Sequence, residues 1–130
     1  MDREVIVPDA MRRIAAEKGY APALRVGRTL YIAGQVGRDA NLALVTDPKA
    51  QFEACFENLR QVLAAAGCGF ADIVDMTTFH VDMPAHWQVF REVKNRLMPR
   101  GAFPLTCIGV SGLVEPGFLL EVKATAVVPG

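Results

Sequence analysis

From Asp47 to Gly67 the chain reads DPKAQFEACFENLRQVLAAAG, and Phe52, Cys55, Phe56, Leu59, Val62 and Leu63 recur along it at helical spacing. Residues three and four apart share one helix face, so this segment is an amphipathic helix with a broad apolar stripe. Asp47 suits the N-cap, Pro48 the first helical position, and Gly67 the stop. A stripe of this width needs a sheet or a second helix to cover it.

The rest of the chain supplies both partners. EVIVP reads as a short first strand, and Pro8-Asp9 opens a short helix, AMRRIAAEKG, ended by Gly19. APALRV and TLYIAG are apolar, β-rich runs parted by Gly27-Arg28, which predicts a hairpin. GQVGRDANLALVTD reads as a loop with a short strand at its end. VDMTTFHVD alternates like a strand, and PAHWQVFREVKNRLM is a second helix with Phe90, Val93 and Leu97 on one stripe. LTCIGVSGL and, after the turn VEPG, FLLEVKATAVV close the chain as strands. In the last, Leu120, Val122, Ala124, Ala126 and Val128 share one face, and Glu121, Lys123 and Thr125 share the other. The order β-β-β-α-β-α-β-β implies an α+β fold, a single domain over residues 1–130, with both long helices on one face of a mixed sheet. Glu121 then falls on the other face, where a carboxylate must be solvated, paired or put to use.

Composition narrows the functional classes. Fourteen basic and fourteen acidic side chains cancel, which leaves no electrostatic footprint for nucleic acid. No apolar run approaches the roughly 18 residues of a membrane span. MDREVIVPDAMRR lacks the apolar core of a signal peptide, and three irregularly spaced cysteines suit reduced thiols, so a soluble cytoplasmic protein is expected. The apolar set makes up 52%, and about 59% once Gly replaces Tyr in the count, against roughly 45–50% in ordinary chains. A small domain has limited interior for that excess, so an oligomer is expected. No Gly-rich phosphate cradle precedes a helix.

Several motifs in order, GY-x-PA-x-x-VG-x-x-x-Y-x-AGQ, the helix ending AAAG, DIV-x-x-TTF-x-VD, FP-x-x-C and LEVKATAV, resemble the RidA/YjgF superfamily from about Tyr20 to Val128. The resemblance implies a chorismate-mutase-like fold and a homotrimer with clefts between subunits. It also implies an imine/enamine deaminase chemistry that hydrolyses reactive 2-imino acids, with a small-molecule substrate and no cofactor or metal. By position it assigns the catalytic carboxylate to Glu121 and the cleft lining to Tyr20, Gly34 and Cys107. The family's FPARSC is FPLTC here, one residue shorter, with Leu105 in the place of the arginine that clamps the substrate carboxylate. Phe90 replaces the family asparagine on the second helix, and Ala33 the serine before the glycine. A leucine cannot donate to a carboxylate, so the resemblance points to a divergent member for which simple 2-imino acids are poor substrates, with Leu105, Phe90 and Tyr20 shaping a more apolar cleft.

Each candidate also has a bland reading. Glu121 is a general base or a solvated surface glutamate. Cys107 packs as a small apolar residue and offers backbone groups to a ligand rather than a thiolate. His80 and Asp82 share a strand face, but two ligands are weak evidence for a metal and His80 reads as a packed strand residue. Trp87 is read as packing. Arg100 is a solvated loop residue or a substitute for the missing arginine. Two functions follow, a hydrolytic deaminase-like enzyme and a non-catalytic, metabolite-sensing trimer.

Overall fold

The expected long helix, α1, spans Pro48–Ala65. The Asp47 side chain caps it by accepting from the Ala50 N–H at 3.0 Å, and every residue of the predicted stripe is fully buried. The computed structural model describes residues 2–130. The stripe lies on a six-stranded sheet formed by β1 (Arg3–Ile6), β2 (Ala23–Val26), β3 (Thr29–Val36), β4 (Ile73–Val81), β5 (Leu105–Val110) and β6 (Leu120–Val127). The second long helix, α2 (Met83–Leu97), buries Phe90 and Val93 beside α1. The fold is α+β, with the two long helices on one face of a mixed sheet.

Strand order is β1-β2-β3-β6-β4-β5. β5 and β6 follow one another in the chain but do not pair, because β4 lies between them. β4 and β5 are parallel, a pairing that needs a long crossover, and α2 supplies it. β6 is central and pairs antiparallel with both β3 and β4. Its alternation is the one read from the sequence. Leu120, Val122, Ala124 and Ala126 are buried under the helices, while Glu121, Lys123 and Thr125 face the other way.

Two local expectations change. The first short helix is a 3-10 turn at Asp9–Met11 followed by a π-helical stretch at Ile14–Lys18, with Met11 and Ile14 turned into the core. The strand expected late in the loop after β3 is reduced to a single bridge between Arg38 and Leu44. There the Asp39 carboxylate accepts from the N–H groups of Asn41 and Ala43 at 2.8 and 3.0 Å, so a side chain takes donors that a strand ladder would need.

The loop is fastened to α1 from below. Gln51 is fully buried. Its Nε2 donates to the carbonyls of Val45 and Gly117, each at 3.0 Å, and its Oε1 accepts from the Leu119 N–H at 2.7 Å. Two turns further along, Asn58 Nδ2 donates to the carbonyls of Val36 and Arg38, each at 3.0 Å. Gly37 lies so close that a Cβ there would sit 2.6 Å from the Gln51 carbonyl oxygen.

Among the described residues no helix covers the open face of the sheet. Across it run exposed apolar side chains from four strands, Val5 at 59%, Tyr31 at 53%, Ile108 at 40% and Val127 at 36%. Gln51→Leu keeps the volume of the buried amide and leaves two carbonyls and one N–H without their partner. It is expected to lower stability by on the order of 3 kcal/mol, read in urea as a lower midpoint at an unchanged slope.

Candidate functional site

The open-face end of β6 gathers the chemistry-bearing groups. Glu121 stands opposite Val36 of β3 and Phe79 of β4. Between Ile32 and Gln35 the β3–β6 register slips, so β3 carries extra chain length at Ala33 and Gly34, a bulge of the kind that re-aims side chains. Gly34 is packed against the Glu121 side chain. A Cβ at this position would lie 2.5 Å from the carboxyl carbon and 2.8 Å from Cγ. Only a glycine lets the carboxylate rest on the backbone here.

The environment of Glu121 pulls in two directions. Burial raises its pKa from the ordinary carboxylate value, and the positive charges of Arg38 and then Lys123 oppose that rise. A carboxylate that is partly desolvated yet flanked by cations is a stronger base than a surface glutamate.

Arg38 is the residue that sequence reasoning passed over. It lies two positions beyond Val36, in a segment read as plain loop. Val36 pairs with Glu121, so alternation carried on from β3 would have put Arg38 on Glu121's side of the sheet. Only 6% of Arg38 is exposed. Its guanidinium carbon lies 5.2 Å from the centre of the Phe118 ring, Nη2 donates to Glu115 Oε2 at 2.8 Å, and Nε has no hydrogen-bond partner among the described residues.

The other candidates divide by position. Tyr20, Gly34 and Arg38 line one cavity of about 220 Å³ between the N-terminal helical segment, α1 and the loop after β3. Glu121 does not line that cavity and meets it only through Gly34. Leu105 and Cys107 lie on edge strand β5, paired with Met76 and Thr78, and pack against the helix-side core. β4 separates them from β6, two strand spacings or about 10 Å within one chain. Phe90 does not reach the site. It is 1% exposed, stacked on Phe56 and edge-on to His80, so its expected place in the cleft is corrected to the core. Arg100 sits in the exposed turn before β5.

Neither thiol nor imidazole chemistry is set up nearby. Cys55, fully buried under β6, has its thiol pushed far up by burial and by the charge of Glu121, and its Sγ–H points to the Leu120 carbonyl at 3.6 Å. His80 is the packed strand residue expected. Its Nε2 lies 2.7 Å from Thr78 Oγ1, its ring meets Phe90 and Trp87, and burial holds its pKa down. Asp82 begins α2 in a left-handed conformation. Among the described residues no three His, Cys, Asp or Glu side chains cluster as metal ligands, and no helix is long and apolar enough to cross a membrane.

Comparison with known proteins places this architecture. The family model described as endoribonuclease L-PSP matches residues 10–128. The RutC family protein YjgH of Escherichia coli is 35% identical over 130 residues, covering 99% of this chain and 98% of that protein. The 2-iminobutanoate/2-iminopropanoate deaminase of Mus musculus is 32% identical over 115 residues, covering 87% and 84%. Among solved structures, protein YjgH superposes with a TM-score of 0.92 at 34% identity, covering 100% of this chain and 99% of that one. RidA of the Antarctic bacterium Psychrobacter sp. gives 0.83 at 28% identity, covering 96% and 99%. With strand order, helix placement and nearly the whole length in agreement, the chain belongs to the endoribonuclease L-PSP family, within the RidA/YjgF superfamily.

Proposed function

We propose that this protein is a hydrolytic imine or enamine deaminase, acting on a small reactive metabolite at the open-face end of β6. The observation that carries the reading is Glu121, a half-buried carboxylate seated on the Gly34 backbone with its pKa raised by desolvation. Hydrolysis of C=N needs a base to take a proton from water as the oxygen attacks carbon. Glu121 accepts that proton while the C=N electrons move to the protonated imine nitrogen, which gives the neutral carbinolamine. Glu121 returns the proton to nitrogen, the C–N bond breaks to release ammonia, and Glu121 takes the hydroxyl proton as the carbonyl forms. The likeness to deaminases that act on 2-iminobutanoate and 2-iminopropanoate supports the same bond being cut here. The zero net charge fits a small-molecule substrate better than RNA, despite the older family name.

The site extends across a homotrimer in this reading. The exposed apolar row on the open face supports an interface there. A neighbouring subunit would bring Leu105 and the Cys107 backbone of its own β5 edge towards Glu121, which a single chain keeps two strands apart. Light scattering is expected to give three times the 14.1 kDa chain mass, and a stable monomer at micromolar concentration would remove the shared cleft.

Glu121→Gln keeps size and hydrogen bonding and removes the basic oxygen. With imines generated in place by an amino-acid oxidase, ammonia release is expected to fall by about 10²–10⁴. Unchanged turnover would end the catalytic role, and ligand binding without turnover in the wild type would favour the metabolite-sensing alternative. The same variant has an expected stability signature. A folded pKa above the unfolded value means that Glu121 contributes most below the unfolded value near 4.5, and that this contribution is lost as pH rises through the folded pKa. The melting temperature of Glu121→Gln is therefore expected to exceed the wild type at pH 8 and to converge with it near pH 4.

Lys123 opposes the raised pKa. Lys123→Met removes that charge, so the acid limb of the pH–rate profile is expected to move to higher pH. The shift should shrink in high salt, because Lys123 is exposed.

A further inference from the structure

The guanidinium of Arg38 is a half-used fork. Nε–H and the adjacent Nη2–H point the same way and together match the two oxygens of a carboxylate. Glu115 Oε2 takes Nη2 at 2.8 Å, while Nε is buried without a hydrogen-bond partner among the described residues. Leaving a buried donor unbonded on an ion is unfavourable, and the geometry that would satisfy it is a carboxylate set square on both nitrogens. The charge of Arg38 also acts on the Glu121 carboxylate.

The pairing is lopsided in burial. Arg38 is 6% exposed at the side chain and Glu115 is 50% exposed. The arginine is fixed from several sides, by Asn58 on its carbonyl and the Phe118 ring beneath its guanidinium. Glu115 lies in the exposed turn between β5 and β6, next to Val114 at 71% exposure. The cation is the fixed member and the carboxylate the movable one.

We propose that Arg38 is the anion-binding residue of this site and that Glu115 is its placeholder, displaced when a ligand carboxylate takes both nitrogens of the fork. This rests on the functional reading above and sharpens it. It restores a carboxylate clamp to a chain that has Leu105 in the family arginine's place, and it draws that clamp from the loop after β3. Substrates carrying a carboxylate then compete with Glu115, whereas uncharged imines do not.

The test is equilibrium binding, by calorimetry, of 2-oxobutanoate and its neutral amide 2-oxobutanamide, so no turnover is required. Wild type is expected to bind the acid more tightly than the amide. Glu115→Gln, a half-exposed change that leaves the fold intact, is expected to tighten the acid several-fold and leave the amide unchanged. Arg38→Lys keeps the charge but not the fork, and is expected to weaken the acid about tenfold or more. Arg38→Met should remove the preference for the acid altogether. The proposal is overturned if Glu115→Gln leaves acid affinity unchanged, if Arg38→Lys binds the acid as wild type does, or if neither wild type nor Glu115→Gln binds it. Failure of the hydrolytic reading looks different, with acid binding intact and no ammonia released from any imine. Failure of the clamp alone leaves uncharged imines hydrolysed and the acid unbound.

Discussion

The side-chain amide of Gln51 is placed where three parts of the chain must meet. It is fully buried on α1, and its three hydrogen bonds cross to two other backbone stretches, one at Val45 and one at Gly117 and Leu119. A buried amide with its partners made is nearly neutral in energy, but it is costly to misplace, so it acts as a gauge of position. The stretches it fixes are those that carry the site. The loop after β3 holds Arg38, and the turn before β6 holds Glu115 and Phe118. Asn58, a further step along α1, fixes the same loop at Val36 and Arg38. The helix that covers the core therefore also sets the aim of the guanidinium.

Glu121 shows what that positioning is set against. The bulge at Ala33–Gly34 and the missing Cβ at Gly34 let the carboxylate sink onto the backbone, which strips it of water. Arg38 and Lys123 restore part of the lost solvation by charge. Burial outweighs the cations, so the carboxylate holds a proton more readily than a surface glutamate does.

Much of this was legible in the sequence because it is periodic. The stripe of α1, the strand alternation of LEVKATAV and the placing of Glu121 opposite the core all follow from spacing alone. Phe90 was misplaced because the family comparison assigned it by position, while its own spacing with Val93 already marked it as core. Arg38 was missed for the opposite reason. It stands outside any regular run, and its partner Glu115 is 77 residues away. What gives it meaning is the burial made by Gln51, Asn58 and Phe118, and a long-range clasp of that kind leaves no period to read. The insertion of β6 between β3 and β4 was equally silent, since strand order depends on crossovers rather than on the strands themselves.

The open face carries apolar surface and the carboxylate together. Val5, Tyr31, Ile108 and Val127 expose apolar surface there whose burial is favourable. Glu121 lies on the same face, only half-buried in a single chain. Whatever covers the apolar row also removes water from around the carboxylate and strengthens the field of Arg38 upon it. The two effects act on Glu121 with opposite sign, since the loss of water raises its pKa and the field of Arg38 lowers it. Covering this face and the basicity of the carboxylate are therefore linked.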